Sequence, residues 1–293
     1  MDYIELKAMA KVNLGLDVIG KRADGYHEVR MIMQTVRLYD RLKIMRSKKP
    51  GIRMTCDQGF LPTDERNLAY RAAKLLADEF GIKDGIEMEL KKYIPVAAGM
   101  AGGSSDAAAA LYGINRLFSL KLSLKELMER GVRLGADVPY CLMRGTALSE
   151  GIGEILTPLK DVPDCHVLIA KPPISVSTKH VYEALKAEEI NEHPDIDAML
   201  GAIEDGDLKR LASLMGNVLE SVTCSEYPLI EKIKDLMKEN GALNALMSGS
   251  GPSVFGLFDD KEAAGIAYEK LKETSLAKQV YLTDFYSRRS GQK

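Results

Sequence analysis

The stretch Ile94-Pro-Val-Ala-Ala-Gly-Met-Ala-Gly-Gly-Ser-Ser-Asp106 constrains this chain more than any other, because it must be strand end, loop and helix start in quick succession. Before it, Gly85 to Ile94 alternates Ile86, Met88 and Leu90 with polar residues, and Pro95 ends the strand pattern. After it, alanines from Ala107 with Leu111, Ile114 and Leu117 have helical spacing and high helix propensity as far as Phe118, so a helix starts near Ser104. A helix start leaves backbone N–H groups unpaired and carries partial positive charge, and glycines before it let a phosphate reach those amides. Gly99, Gly102 and Gly103 give that access. The alternative is a tight turn with Ser104 or Ser105 as N-cap. No lysine follows Gly103 where a Walker sequence needs one, and GxGxxG is absent, so a cation for the phosphates must come from elsewhere.

At 293 residues the chain is long enough for about two domains. Asp161-Val-Pro-Asp164 is the best linker, which divides it into residues 1–160 and 161–293. Lys+Arg 40 against Asp+Glu 42 gives a net charge of -2, so no global field favours nucleic acid or an anionic membrane. Cys56, Cys141, Cys165 and Cys224 form neither CxxC nor a Cys/His metal pattern and read as reduced thiols of a cytoplasmic protein. No apolar run is long enough to span a bilayer, and the start of the chain has no targeting pattern.

Along the chain, Tyr3 to Gly20 reads as two short strands or one bent strand, with Lys11 and Asn13 on the face opposite Val12 and Leu14. Solvent exposure is the default for such a lysine. Asp24-Gly25 signals a turn that delivers Tyr26 and His27, two amphipathic rings that either stack on a planar base or pack the turn. Glu28 to Met45 and Ile52 to Cys56 are strand patterns. Asn67 to Phe80 is a helix stopped by Gly81, and Ser123-Leu-Lys-Glu126 is a capping box opening a helix that Gly135 ends. Asp137 follows, either capping the next turn or holding a carboxylate at the edge of a phosphate site; its position relative to the loop decides. Gly145 to Leu159 is a hairpin and Val167 to Ala170 a strand. Lys179 to Glu188 reads as a helix whose start sets Thr178 and Tyr182 on one face. Ile196 to Leu219 is helical in pattern, interrupted by Gly206 and Gly216, and Pro228 to Glu239 is a helix with Gly241 as C-cap. Asn244 to Phe258 is strand, glycine turn and strand, with Gly249, Ser250 and Gly251 permissive of close backbone approach. Helix Lys261 to Lys272 and strand Val280 to Phe285 close the pattern.

Taken together, Ala10-Lys-Val-Asn-Leu14, the Pro95 to Ala109 loop and Met247-Ser-Gly-Ser-Gly-Pro252 resemble the GHMP small-molecule kinase superfamily, in that family's order and across nearly the whole chain. Arg22-Ala-Asp-Gly-Tyr-His-Glu28 and Gly135-Ala-Asp-Val-Pro139 point within it to the branch whose acceptor is a cytidine-diphosphate-linked methylerythritol. The chain departs from the family loop at Ala97 and Ala101, where glycine is usual, and at Met100, where leucine is usual. A methyl group there alters loop packing and leaves the amides in place.

The resemblance implies an α+β protein of two domains, the first like ribosomal S5 domain 2 and the second ferredoxin-like, with the active site in the cleft between them. It implies Mg-ATP as phosphoryl donor and transfer to the 2-hydroxyl of the acceptor, a step of non-mevalonate isoprenoid precursor synthesis. By resemblance, Lys11 and Asp137 are catalytic. ATP is held along Pro95, Val96, Ala97, Ala98, Gly99, Met100, Ala101, Gly102, Gly103, Ser104 and Ser105, with one of the two serines offered to phosphate or Mg2+. Asn13 orients the methylerythritol, Tyr26, His27, Thr178 and Tyr182 hold the cytidine, and Gly249, Ser250 and Gly251 complete the substrate site. The partners implied are small molecules, with neither nucleic acid nor membrane, and the protein is a monomer or homodimer. Homoserine or mevalonate kinases, a diphosphomevalonate decarboxylase and a non-catalytic nucleotide sensor are the alternatives. The Tyr26-His27 pair argues against the first three, and Lys11 with Asp137 against the last.

Overall fold

The computed structural model describes residues 2–190 and 192–288. Strands are β1 (Tyr3–Lys21), β2 (His27–Ser47), β3 (Ile52–Cys56), β4 (Gly85–Lys91), β5 (Thr146–Gly151), β6 (Ile155–Pro158), β7 (His166–Lys171), β8 (Gly216–Asn217), β9 (Asn244–Met247), β10 (Val254–Phe258) and β11 (Gln279–Asp284). Helices are α1 (Leu68–Phe80), α2 (Gly102–Leu117), α3 (Leu124–Val132), α4 (Val138–Met143), α5 (Thr178–Ala184), α6 (Ile196–Asp205), α7 (Leu208–Leu214), α8 (Glu220–Glu226), α9 (Leu229–Glu239) and α10 (Lys261–Glu273). No described helix is long and apolar enough to cross a membrane.

The chain forms two compact units. The first comprises Met1–Ala10, Leu38–Val96 and Ala101–Met143. In it the second half of β2 pairs antiparallel with β4, from Arg41 opposite Lys91 to Ser47 opposite Gly85, and β3 runs parallel to β4. α2 lies close on the sheet because Gly113 has no side chain: a Cβ there would stand 2.6 Å from Ile44 Cδ1 and 2.7 Å from Leu6 Cδ1. α1 packs on α2 through Ala69, Ala72, Ala73 and Leu76. Its ends are the expected ones, with the Asn67 side chain accepting from the Ala69 N–H and Gly81 left-handed at φ 60°. The capping box of α3 is present, Ser123 and Glu126 each accepting from the other's backbone. Burial of Leu42, Ile44, Leu76, Ile86 and Met88 contributes about 1.5–3 kcal/mol per side chain.

The second unit comprises Lys11–Arg37, Ala97–Met100 and Arg144–Lys293. Its first sheet pairs the start of β2 with β5, β5 with β6, and the later part of β1 in parallel with β8. A second, antiparallel sheet has the order β11-β7-β10-β9 and is packed by α9 and α10. Numbered from β7, this is the order 4-1-3-2 of a βαββαβ repeat, the ferredoxin-like arrangement.

Several expected boundaries move. β1 is a single strand, β4 stops at Lys91, α3 stops at Val132 short of Gly135, and α5 ends at Ala184 before a short 3-10 turn at Ala187–Glu189. Gly241 lies one residue beyond the Asn240 C-cap, with φ 94°. The helical pattern read through Leu219 breaks at Met215: Gly216 and Asn217 pair with Gly15 and Leu16, and helix α8 follows.

Candidate active site

In the first unit α2 begins at Gly102, two residues ahead of the expected start, with Ala101 left-handed at φ 56° before it. The two serines of its first turn differ. Ser105 is buried and its hydroxyl donates to the Met9 carbonyl at 2.7 Å, whereas Ser104 is half-buried. A Cβ on Gly135 would stand 3.9 Å from Ser104 Oγ, so the segment that carries Asp137 runs beside the helix start. Asp137 immediately precedes α4, its carbonyl accepting from the Cys141 N–H at 3.0 Å, and the residue is half-buried.

Under the same turn lies a buried charge cluster that the sequence did not suggest. Lys92 Nζ donates to Asp40 and, at 2.7 Å, to Asp106; Asp40 also accepts from the backbone of Tyr93 and Ile94 at 2.6 and 2.8 Å. One ammonium cannot neutralise two carboxylates. Asp40 has the amides, while Asp106 keeps one oxygen without a partner among the described residues. Burial pushes the Asp106 carboxyl up, to about 8, against the pull of Lys92. The only sequence cue is a charge on the alanine face of α2, a weak one.

In the second unit Lys11 and Asn13 are 5% and 0% exposed, so the default of a solvent-facing lysine does not hold. Their face of β1 is covered. Lys11 Nζ donates to Asn13 Oδ1 at 2.6 Å, the Asn13 amide reaches Met31 Sδ at 3.1 Å, and the Lys11 N–H donates to the Met100 carbonyl. Ala97 and Gly99 are left-handed, at φ 50° and 73°.

The glycine turn between β9 and β10 meets three of the expected residues. Ser248 Oγ donates to the Gly99 carbonyl at 2.9 Å, a Cβ on Gly249 would stand 3.5 Å from Asn13 Oδ1, and Ser250 Oγ shares a hydrogen bond with Thr178 Oγ1 at 2.8 Å. Tyr182, one turn along α5, has its ring 5.3 Å from that of His27 at an angle of 39°. Burial, with the nearby Lys21 charge, lowers the His27 pKa. A base inserted between two rings needs two contact spacings of roughly 3.5 Å each, so nothing stacks between this pair as it stands. Tyr26 is 60% exposed and free to offer a face.

Glu220, Cys224 and Glu231 converge closely enough to suggest a metal site, but the Lys234 ammonium already bridges the two carboxylates at 2.7 and 3.0 Å. Burial opposes charge on both members of the pair: Glu220 is raised by it, and Lys234 is raised despite it by its two carboxylates.

A glycine loop and a helix start are features that suit phosphate binding, and the family to which the chain belongs is one of phosphotransferases. Residues 67–145 match the GHMP kinases N terminal domain and residues 199–275 the GHMP kinases C terminal domain; the chain belongs to the GHMP kinases. The 4-diphosphocytidyl-2-C-methyl-D-erythritol kinase of Lachnoclostridium phytofermentans is 59% identical over 286 residues, 98% of each chain. That of Lachnospira eligens is 57% identical over 98% of this chain and 100% of its own. A crystal structure of 4-(cytidine 5'-diphospho)-2C-methyl-D-erythritol kinase, 33% identical, matches with a TM-score of 0.83 over 96% of this chain and 99% of that one. A homoserine kinase from Cytophaga hutchinsonii, 24% identical, shares the fold with a TM-score of 0.76 over 97% and 95% of the two chains.

Proposed function

We propose that this chain transfers the γ-phosphoryl group of ATP to the 2-hydroxyl of 4-diphosphocytidyl-2-C-methyl-D-erythritol, a step of the non-mevalonate route to isoprenoid precursors. The observation that carries this reading is similarity over essentially the whole chain, above 50% identity, to kinases of that one acceptor. The homoserine kinase likeness extends to the fold alone.

Phosphoryl transfer asks a protein for alignment and for compensation of charge on the phosphate oxygens. In this reading the amides from Gly99 to Ser105 hold the triphosphate against the positive end of α2. Asp137 takes the proton of the acceptor hydroxyl as its oxygen bonds to the γ-phosphorus and the bond to the β-γ bridging oxygen breaks, releasing ADP. Lys11 offsets charge on the transferred group. Its hydrogen-bond partner among the described residues of its unit is the neutral oxygen of Asn13 and not a carboxylate, which suits it to a phosphate. Asn13 orients the polyol, and Thr178, Tyr182, His27 and Tyr26 hold the cytidine, the base lying on an outer ring face. The domain boundary belongs near residue 160.

Mg2+ takes hard oxygen donors, and the accessible hydroxyl of Ser104 and the carboxylate of Asp137 are of that kind; Glu220, Cys224 and Glu231, filled by a lysine and including a thiol, are not. When bound, the ion would draw charge from the phosphate oxygens. Ser104 is the better of the two serines, since Ser105 is buried on Met9.

The test is ADP release by purified protein with Mg-ATP and a panel of the cytidine-linked acceptor, homoserine and mevalonate. Turnover should be confined to the first, and Asp137→Asn should lose at least about a hundredfold in kcat while still binding nucleotide. Full turnover by that variant removes Asp137 from the base role, and turnover on another acceptor removes the assignment.

A further inference from the structure

Three consecutive residues of the turn between β9 and β10 each bear on a different part of the proposed site. Ser248 closes on Gly99 of the donor loop, Gly249 on Asn13 at the polyol, and Ser250 on Thr178 at the cytidine. The position of this one turn therefore sets the spacing of three binding functions. The turn is itself held from behind by residues that no sequence motif singles out.

Asn217, 7% exposed on β8, donates both amide hydrogens into the turn, to the Met247 carbonyl at 2.9 Å and the Gly249 carbonyl at 2.8 Å, while its own oxygen accepts from the Leu219 N–H at 3.0 Å. Three of the four bonds that a primary amide can make are filled, and both donors are spent on the turn. Glu220, three residues on, accepts from the Met247 N–H at 2.7 Å through one oxygen and from Lys234 through the other, also at 2.7 Å. Thr223, on the next turn of α8, reaches the Ser250 carbonyl at 3.4 Å. Lys234 in turn is held by Glu231 of α9. Met247 is thus gripped at both its N–H and its carbonyl, which fixes where the turn begins.

We propose that Asn217 and Glu220 are positioning residues for phosphoryl transfer, holding the 247–251 turn where it aligns Gly99, Asn13 and Thr178. They touch no reacting atom; they act through the turn. The proposal rests on the kinase reading above. It predicts an effect on kcat/KM larger than the effect on stability, because a shift of about 1 Å at a reacting centre costs on the order of a hundredfold in rate.

Asn217→Asp keeps size and the acceptor for Leu219 but presents a carboxylate to two carbonyl oxygens. It should lower kcat/KM roughly a hundredfold at pH 8 and recover in part by pH 6, where the introduced carboxyl regains one O–H donor. Glu220→Ala should lose roughly tenfold to a hundredfold, and Glu220→Gln, which still accepts from Met247 but turns its NH2 toward the Lys234 ammonium, should lose clearly less than Glu220→Ala. Amide hydrogen exchange at 247–251 should accelerate in the first two variants and not in the third. Wild-type kcat/KM in folded Asn217→Asp and Glu220→Ala, losses that merely follow the unfolded fraction at the assay temperature, or equal impairment in Glu220→Gln and Glu220→Ala would overturn the proposal. Should Asn217→Asp fail to fold, Thr223→Val decides: faster exchange at 247–251 with about threefold lower kcat/KM supports it, and no change in either sinks it. A wild-type protein inactive on the cytidine-linked acceptor overturns the functional reading instead. The exchange measurements and the acceptor that the panel returns then test the brace independently.

Discussion

Gly99→Ala separates two reasons for glycine in a phosphate loop. Gly99 has φ 73°, and a Cβ there would stand 2.0 Å from the Ser248 carbonyl oxygen. The left-handed backbone alone costs an alanine about 1–2 kcal/mol. This chain already bears that cost at Ala97 and Ala101, where φ is 50° and 56°. What distinguishes Gly99 is the contact, about 1.5 Å short of a comfortable separation of roughly 3.5 Å. Ser248 cannot yield freely, since its carbonyl accepts from the Gly251 N–H at 2.9 Å and its N–H donates to Ser253. Overpacking costs about 1–3 kcal/mol and the strained turn bond about 1 more, so with the backbone cost the variant should lose roughly 3–6 kcal/mol in all. That is less than the whole stability expected of such a chain, so the variant folds, with the loop displaced. Urea titration measures the loss, and ATP KM and kcat measure the displacement; catalysis should fall on the order of a hundredfold. Ala97→Gly and Ala101→Gly are the controls: they relieve the same left-handed φ and should stay within about 1 kcal/mol of the parent, because the flexible unfolded chain offsets the gain. A Gly99→Ala protein that matches these controls in stability and ATP KM refutes the steric argument.

Asp106 gives a pH prediction. Folded, its carboxyl holds a proton to about 8; unfolded, it loses it near 3.9. The folded state therefore binds more protons between those values, and this contribution, full below about pH 4, is lost as pH rises through 8. Urea denaturation at pH 5, 6.5 and 8 should show wild type losing stability relative to Asp106→Asn by up to about 1.4 kcal/mol per pH unit, and parallel curves would exclude it. Lys92→Met, which strands the buried Asp40 carboxylate without its counter-charge, should cost about 3–5 kcal/mol in the same titration. Lys11→Met should cost less than about 1 kcal/mol yet lower kcat on the order of a hundredfold or more, and a large loss of stability with intact turnover would reverse that assignment.

Much of the fold was legible because local chemistry decides it. Asn67, Gly81 and the Ser123-Glu126 box mark helix ends through bonds made within a few residues, and the alternation in Ile52–Cys56 places its strand without reference to anything distant. The βαββαβ order of the second sheet follows from strand and helix patterns in sequence, and the family resemblance supplied how they pair. What failed to show are features made by long-range contact. The two residues of β8 are too few for a periodicity, and only their pairing with Gly15 and Leu16 distinguishes them from the helical run before them. The burial of Lys11 depends on what covers β1, which no window around residue 11 contains. Asn217 and Glu220 look like an ordinary helix boundary until β9 arrives from 27 residues away in sequence to be held by them.

The buried amines follow a division of labour that the near-zero net charge hides. Lys92 and Lys234 each sit between two acidic side chains, so each is a structural cation whose field is cancelled where it stands. Lys92 secures the strand end before the phosphate loop to the first turns of α2, and Lys234 secures Glu220 behind the second glycine turn. Lys11 is 5% exposed, and its partner within its unit is an amide oxygen. Burying an amine against an amide oxygen and not a carboxylate is expensive, and a chain selected for stability alone would place an apolar side chain there. Retaining the amine makes sense where an anion arrives to complete it, and a triphosphate is such an anion. Acid-paired lysines should therefore report on stability and the amide-paired one on catalysis, which is the contrast that Lys92→Met and Lys11→Met measure.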